Sequence, residues 1–226
     1  MTMMKLFIPL AASAFVFASC EQVQPVQDAA VEAERSLVEV ESDTTELTRL
    51  EEEHQLFRAE YADSVNQGLI EEDKFTGSAR RESKELIGAA EVAVNYGSPG
   101  KRGRVLWNGL VSYDQVWVSG SHWATAVSFT KDVMVSGTEV KAGTYAFFTI
   151  PGREKWTLIL NENFDQHLAE DYDKNLDAVR VSVMAQELPN VVERLTYDVE
   201  KTGLGEGAIS LKWDQVKVSM PFTVKE

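Results

Sequence analysis

From about residue 91 to the C-terminus, apolar side chains recur at every second position, and that period excludes most other folds open to a chain of 226 residues. Val92, Val94 and Tyr96 alternate with Ala93 and Asn95. Thr125, Val127 and Phe129 alternate with Ala126 and Ser128, and Trp156, Leu158 and Leu160 with Thr157 and Ile159. Val179, Val181 and Val183 oppose Arg180 and Ser182, and Leu195, Tyr197 and Val199 oppose Arg194, Thr196 and Asp198. Ile209, Leu211 and Trp213 stand against Ser210, Lys212 and Asp214. A strand turns successive side chains to opposite faces, so each segment sends one row into a core and the other into water. Antiparallel sheets behave this way, whereas parallel ones are buried on both faces.

Turn chemistry agrees. Ser136-Gly137 separates Val133-Met134-Val135 from Thr138-Glu139-Val140, the spacing of a two-residue hairpin. Pro151-Gly152 divides the run 145–150 from 156–160 and predicts a type II turn, with glycine at positive φ at the second corner. The pattern predicts an all-β domain over residues 82–226, an antiparallel β-sandwich of eight to ten strands in the jelly-roll or immunoglobulin-like size range.

Ahead of it the period is helical. Asp43-Thr44-Thr45-Glu46 reads as a capping box, and Leu47, Leu50, Phe57 and Tyr61 follow at helical spacing until Asn66-Gln67-Gly68 stops the run. A helix is predicted over 44–66, with His54 half-buried in its stripe and residues 21–42 as a tether or weak helix. The stripe can pack on its own domain or pair with a second copy. It is too short to specify a coiled coil, so the oligomeric state stays open.

Charge separates the same two regions. The formal net charge is -14, but residues 21–80 hold sixteen acidic and five basic groups, a balance of -11, while residues 81–226 hold twenty and sixteen, a balance of -4. An acidic chain with a single basic loop does not fit nucleic acid as a partner. Its single cysteine excludes an internal disulfide framework and a cysteine-based zinc cluster. No spacing of residues calls for a cofactor or a bound metal.

That cysteine, Cys20, has a specific setting. Lys5 precedes an apolar stretch over residues 6–17, and Ala18-Ser19 leads directly into Cys20, a pattern of secretory-signal length. It resembles a bacterial lipoprotein signal, although Phe17 stands where such signals usually carry leucine. The resemblance implies removal of residues 1–19, an acidic tether over 20–81, and a membrane anchor through acyl chains on Cys20, palmitate among them. The expected location is the cell envelope, at the outer membrane facing the periplasm or the cell surface.

Several stretches of the C-terminal domain resemble a bacterial family of domains of unknown function, number 2911, found in envelope proteins of the Bacteroidota. They are the segment Tyr96-Gly97-Ser98-Pro99-Gly100-Lys101-Arg102-Gly103-Arg104, then Val116-Trp117, Gly120 with Ala124-Thr125, and Ala142-Gly143-Thr144-Tyr145. Thr149-Ile150-Pro151-Gly152, Trp156-Thr157, Asn161, Tyr172-Asp173 and Trp213 continue it, so that it covers about residues 82–224. The resemblance carries no activity to transfer. The chain also departs from it: after the tryptophan the family pattern has Arg, Thr, Gly, Ala, Asn and Glu, whereas Trp117 is followed by Val118, Ser119, Gly120, Ser121, His122 and Trp123. Arg, Asn and Glu are replaced by Val118, His122 and Trp123.

Two loops hold the candidate ligand-binding residues. Trp117, Ser119, Ser121, His122 and Trp123 would make a flat apolar platform with polar handles. The plainer alternative is a loop in which the tryptophans pack and His122 faces water. Lys101, Arg102 and Arg104, among Gly97, Gly100 and Gly103, would seat an anion, although Arg102 stands where a P-loop requires Ser or Thr. His167, Glu170, Asp171 and Asp173 lack the spacing of a calcium loop and read as an acidic surface loop. Two functions follow. In the first, a non-catalytic domain binds a glycan, a small ligand or a protein partner. In the second, an envelope hydrolase has its site near His122 or the Arg102 loop, with His122 beside Asp114, Asp171 or Asp173. No glycine-serine-glycine nucleophile elbow is present in the sequence.

Overall fold

The computed structural model describes residues 26–225, so the lipoprotein-type signal and Cys20 lie outside the described residues. The chain divides into two units, Met1–Thr48 and Arg49–Glu226, and the division falls within a single helix, α1 (Val26–Asn66). The helix ends at Asn66, where the sequence places its stop, but it starts well ahead of the capping box at residues 43–46. Ala, Glu, Leu and Arg, all strong helix formers, populate residues 29–41 and carry the helix back. No described helix is long and apolar enough to cross a membrane.

Ten strands follow: β1 (Ala79–Ile87), β2 (Ala90–Ser98), β3 (Ala126–Phe129), β4 (Val133–Val135), β5 (Thr138–Val140), β6 (Gly143–Ile150), β7 (Lys155–Asn161), β8 (Asp177–Met184), β9 (Gln186–Gly203) and β10 (Glu206–Val224). They form two antiparallel sheets, a six-stranded one in the order β1-β2-β3-β6-β7-β8 and a four-stranded one in the order β5-β4-β10-β9. The inward rows predicted by alternation meet between the sheets in one core. Val92, Val94 and Tyr96 of β2, Leu158 and Leu160 of β7, Leu195 and Tyr197 of β9, and Ile209 and Leu211 of β10 all belong to it. Tyr197 reaches across from the smaller sheet to Tyr96 and Phe147, with ring centroids 4.9 and 5.7 Å away. This is an all-β sandwich.

Strands β6 and β7 are buried on both faces. Their inward side joins the main core, while Ala146, Phe148 and Ile159 on the outer side pack with Val118 and Ala124 in a second cluster. The chain segment bearing Val118 and Ala124 therefore lies over the large sheet, held there by apolar contact, and this fixes the position of the candidate site.

Four details differ from the sequence reading. The sandwich begins before residue 82, because β1 pairs along its whole length with β2, from Ala79↔Ser98 to Ile87↔Ala90. Like Ile159 and Ser210, Arg194 stands in a row assigned to water yet is fully buried. Its face of β9 is covered by the end of α1 and the segment that follows it, a cover that strand periodicity cannot reveal. Gly152 is not at positive φ, so 151–152 is not the expected type II turn. A side chain at Gly152 would instead collide with the Lys155 carbonyl. His54 is exposed, as are Leu47, Leu50 and Phe57. Of the stripe only Tyr61 docks, its ring 5.9 Å from that of Phe75, beside the buried Ala62 and Val65. The Ser136-Gly137 hairpin forms as expected: Val135 pairs with Thr138, and φ is positive at both turn residues, +49° and +83°.

Candidate functional site

The connection from β2 to β3, residues 99–125, is much longer than a hairpin needs. It is pinned at three places. Near its start, Leu195 N–H donates to the Pro99 carbonyl (3.0 Å) and Lys101 N–H to the Glu193 carbonyl (2.7 Å), which ties it to β9. In its later part, Trp117 and Thr149 of β6 exchange two backbone hydrogen bonds, at 2.8 and 3.0 Å. At its end, Ala124 N–H donates to the Gln166 carbonyl (3.0 Å) and Leu168 N–H to the His122 carbonyl (2.7 Å), joining it to the β7–β8 connection.

A buried polar network sets the path between the last two points. The Ser119 hydroxyl lies 3.0 Å from Thr149 Oγ1, and the Ser119 carbonyl accepts from the Tyr197 hydroxyl (2.8 Å) and from Thr125 Oγ1 (3.0 Å). Burial pushes the Tyr197 phenol well above its ordinary pKa, which keeps it a donor. These bonds hold Ser119 at φ +56°, a conformation that non-glycine residues adopt only when the surroundings fix it.

The pinned loops enclose a cleft of about 540 Å3, within the usual range for small-molecule sites. One wall is residues 76–78, directly before β1. The opposite walls are Arg102 and Arg104 from the start of the long loop, Ser121 and His122 from its end, and His167 and Leu168 from the β7–β8 connection. Trp117 and Trp213 also line it, with ring centroids 5.9 Å apart and planes within 19°. Trp107 braces both edge-on, at 6.2 and 6.0 Å. A second hollow of about 270 Å3 shares Ser78, Ser121, His122 and His167 with the first and adds Arg80, Gly97 and Trp123, whose side chain is 54% exposed.

The structure therefore brings together Trp117, Ser121, His122, Trp123, Arg102 and Arg104 from the two loops singled out in the sequence. The other two candidates are engaged elsewhere: Ser119 in the buried network, and Lys101 in an ion pair with Asp214 at 2.6 Å. Leu168, Trp213 and the 76–78 wall carry no sequence signal for this role. His167 sits among acidic residues in the sequence, yet it turns towards His122, ring centroids 6.3 Å apart, and towards Trp123 at 5.6 Å. Of its sequence neighbours, Asp173 caps a 3-10 turn (Lys174–Leu176). His122 forms no ion pair among the described residues.

A family model described as protein of unknown function (DUF2911) matches residues 78–222. No curated protein and no solved structure matches the chain. The matched segment runs from just before β1 to near the end of β10, so it takes in nearly all of the sandwich and the cleft except Thr76 and Gly77. The chain belongs to this family of proteins of unknown function.

Proposed function

We propose that the sandwich is a non-catalytic binding domain whose ligand, a glycan, lies in the cleft between the 99–104, 117–123 and 166–168 loops. The observation that carries the reading is the pairing of apolar ring faces with polar groups. Trp117, backed by the buried Trp213, offers indole surface within the cleft, Trp123 stands exposed at its edge, and Ser121, His122 and Arg102 surround them. Sugar rings present apolar faces and a hydroxyl periphery, and such a surface answers both. Strain supports the same location: Arg102, His122 and Leu168, which all line the cleft, have φ of +48°, +63° and +56°. Conformations of this kind gather at functional sites, where pinned surroundings hold them. The lipoprotein-type start supports attachment to an envelope membrane through Cys20, with the acidic helical segment as spacer.

Tryptophan fluorescence titrated with a panel of oligosaccharides tests this. A saturable change is expected, and Trp123→Ala should weaken it at least tenfold while leaving the unfolding midpoint unchanged. Equal affinity in Trp123→Ala, or no response to any saccharide at millimolar concentration, refutes the proposal.

A further inference from the structure

We infer that the saccharide bound in this cleft is an acidic one, a carboxylated sugar whose acid group meets Arg102. The inference rests on the glycan reading above and sharpens it. The charge around the cleft is opposite to that of the chain. Acidic residues outnumber basic ones by 36 to 22 over the sequence, yet among the described residues no Asp or Glu lines either hollow, while Arg80, Arg102, Arg104, His122 and His167 do.

Most other cations near the cleft are already committed. Lys101 pairs with Asp214, Arg104 donates to the Gly100 and Lys101 carbonyls, and Arg80 donates to the Asn95 side chain. The Arg102 backbone N–H is bonded to the Glu193 carboxylate, which fixes the residue in place and occupies the nearest acidic group. Asp73, which packs beneath Gly100, is buried and paired with Arg194. The Arg102 guanidinium has no hydrogen-bond or ion-pair partner among the described residues, and the residue is exposed. A planar fork of five donors, held at the edge of a cleft and left unpaired, matches a carboxylate in two parallel hydrogen bonds. The tryptophan faces would take the ring that carries the acid.

Calorimetric titration with a galacturonate oligomer, a neutral glucose oligomer of equal length, and inorganic phosphate and sulfate tests this, on the wild-type chain and on Arg102→Gly. Glycine accepts the positive φ at this position, so the variant should keep its fold, which circular dichroism checks. The expected result is binding of the galacturonate oligomer at least tenfold tighter than the neutral one, weakened by added salt and lost tenfold or more in Arg102→Gly. Equal binding of acidic and neutral oligomers, or unchanged galacturonate affinity in Arg102→Gly, overturns the acidic inference and leaves the glycan reading standing. Binding of phosphate or sulfate without either saccharide overturns both, as does binding of none of the four.

Discussion

Removing the buried guanidinium of Arg194 should destabilise the domain more than any change in the cleft. The Arg194 side chain is fully buried and that of its partner Asp73 is 1% exposed. The guanidinium donates to Asp73 Oδ1 at 2.8 Å and to the carbonyls of Phe75, Gly77 and Ser98 at 2.6, 3.1 and 3.1 Å. It also lies over the rings of Phe75 and Tyr61, at 4.7 and 5.6 Å. Arg194→Met keeps a long side chain and removes every donor, leaving a buried carboxylate with only the Phe75 N–H. Loss of one partner from a buried ion pair costs about 3–5 kcal/mol, because the charge left behind stays desolvated. For a domain of this size, about 2–4 °C per kcal/mol gives a fall in Tm of roughly 6–20 °C. Thermal melts followed by circular dichroism measure this directly. Asp73→Asn in the Arg194→Met background should recover at least half of the loss, since it removes the unpaired charge. The 67–78 segment, which Arg194 holds down, should become the first site of limited proteolysis in the single variant. A fall of less than about 3 °C, or a double variant no more stable than Arg194→Met, would refute the argument that this pair anchors the segment.

Two further substitutions have outcomes set by local chemistry. Ser136→Asn should raise stability by about 0.5 kcal/mol in urea unfolding, because asparagine tolerates the positive φ at the first turn position better than serine. No gain would mean that the turn does not limit the hairpin. Burial pushes the Glu200 carboxyl up, but hydrogen bonds from Lys217 at 2.9 and 3.1 Å and the charges of Lys217 and Lys212 outweigh it and hold the group below its ordinary value. A depressed carboxyl stabilises the fold above its unfolded value, about pH 4.3, and the contribution is lost as pH falls through the lower folded value. Lys217→Met should therefore cost less than about 1 kcal/mol at pH 7, and less at pH 3 than at pH 7. Equal losses at the two pH values would remove this explanation.

The strands with one buried face, such as β2, β8 and the regular part of β9, were legible because that geometry imposes a period of two; β7 was read by the same period although Ile159 of its outer row is buried as well. β1 was not, since its buried positions are its ends, Ala79 and Ile87, with charged residues between them at the edge of the sheet. The full lengths of β9 and β10 were hidden by register shifts between Lys212 and Val216, where the alternation slips. In the cleft, both sequence-local loops could be named, but their meeting depends on pairs such as Leu168 with His122, far apart in the chain. Arg194 was misread for a related reason: the cover over its face comes from outside the sheet. A charge in an alternating strand reads as solvent-facing unless the covering segment is known.

The pairing of β10 with β4 sets the order in which the domain can assemble. Thr223 pairs with Met134 and Val224 with Val133, so the end of β10 pairs with a strand about ninety residues earlier. The β1–β2 and β9–β10 hairpins are joined by short turns and can form early. The smaller sheet cannot close until the end of β10 reaches β4, and closure over so long a loop is slow. Until it does, β4 and β5 lack their neighbour and leave an open sheet edge beside unsealed core.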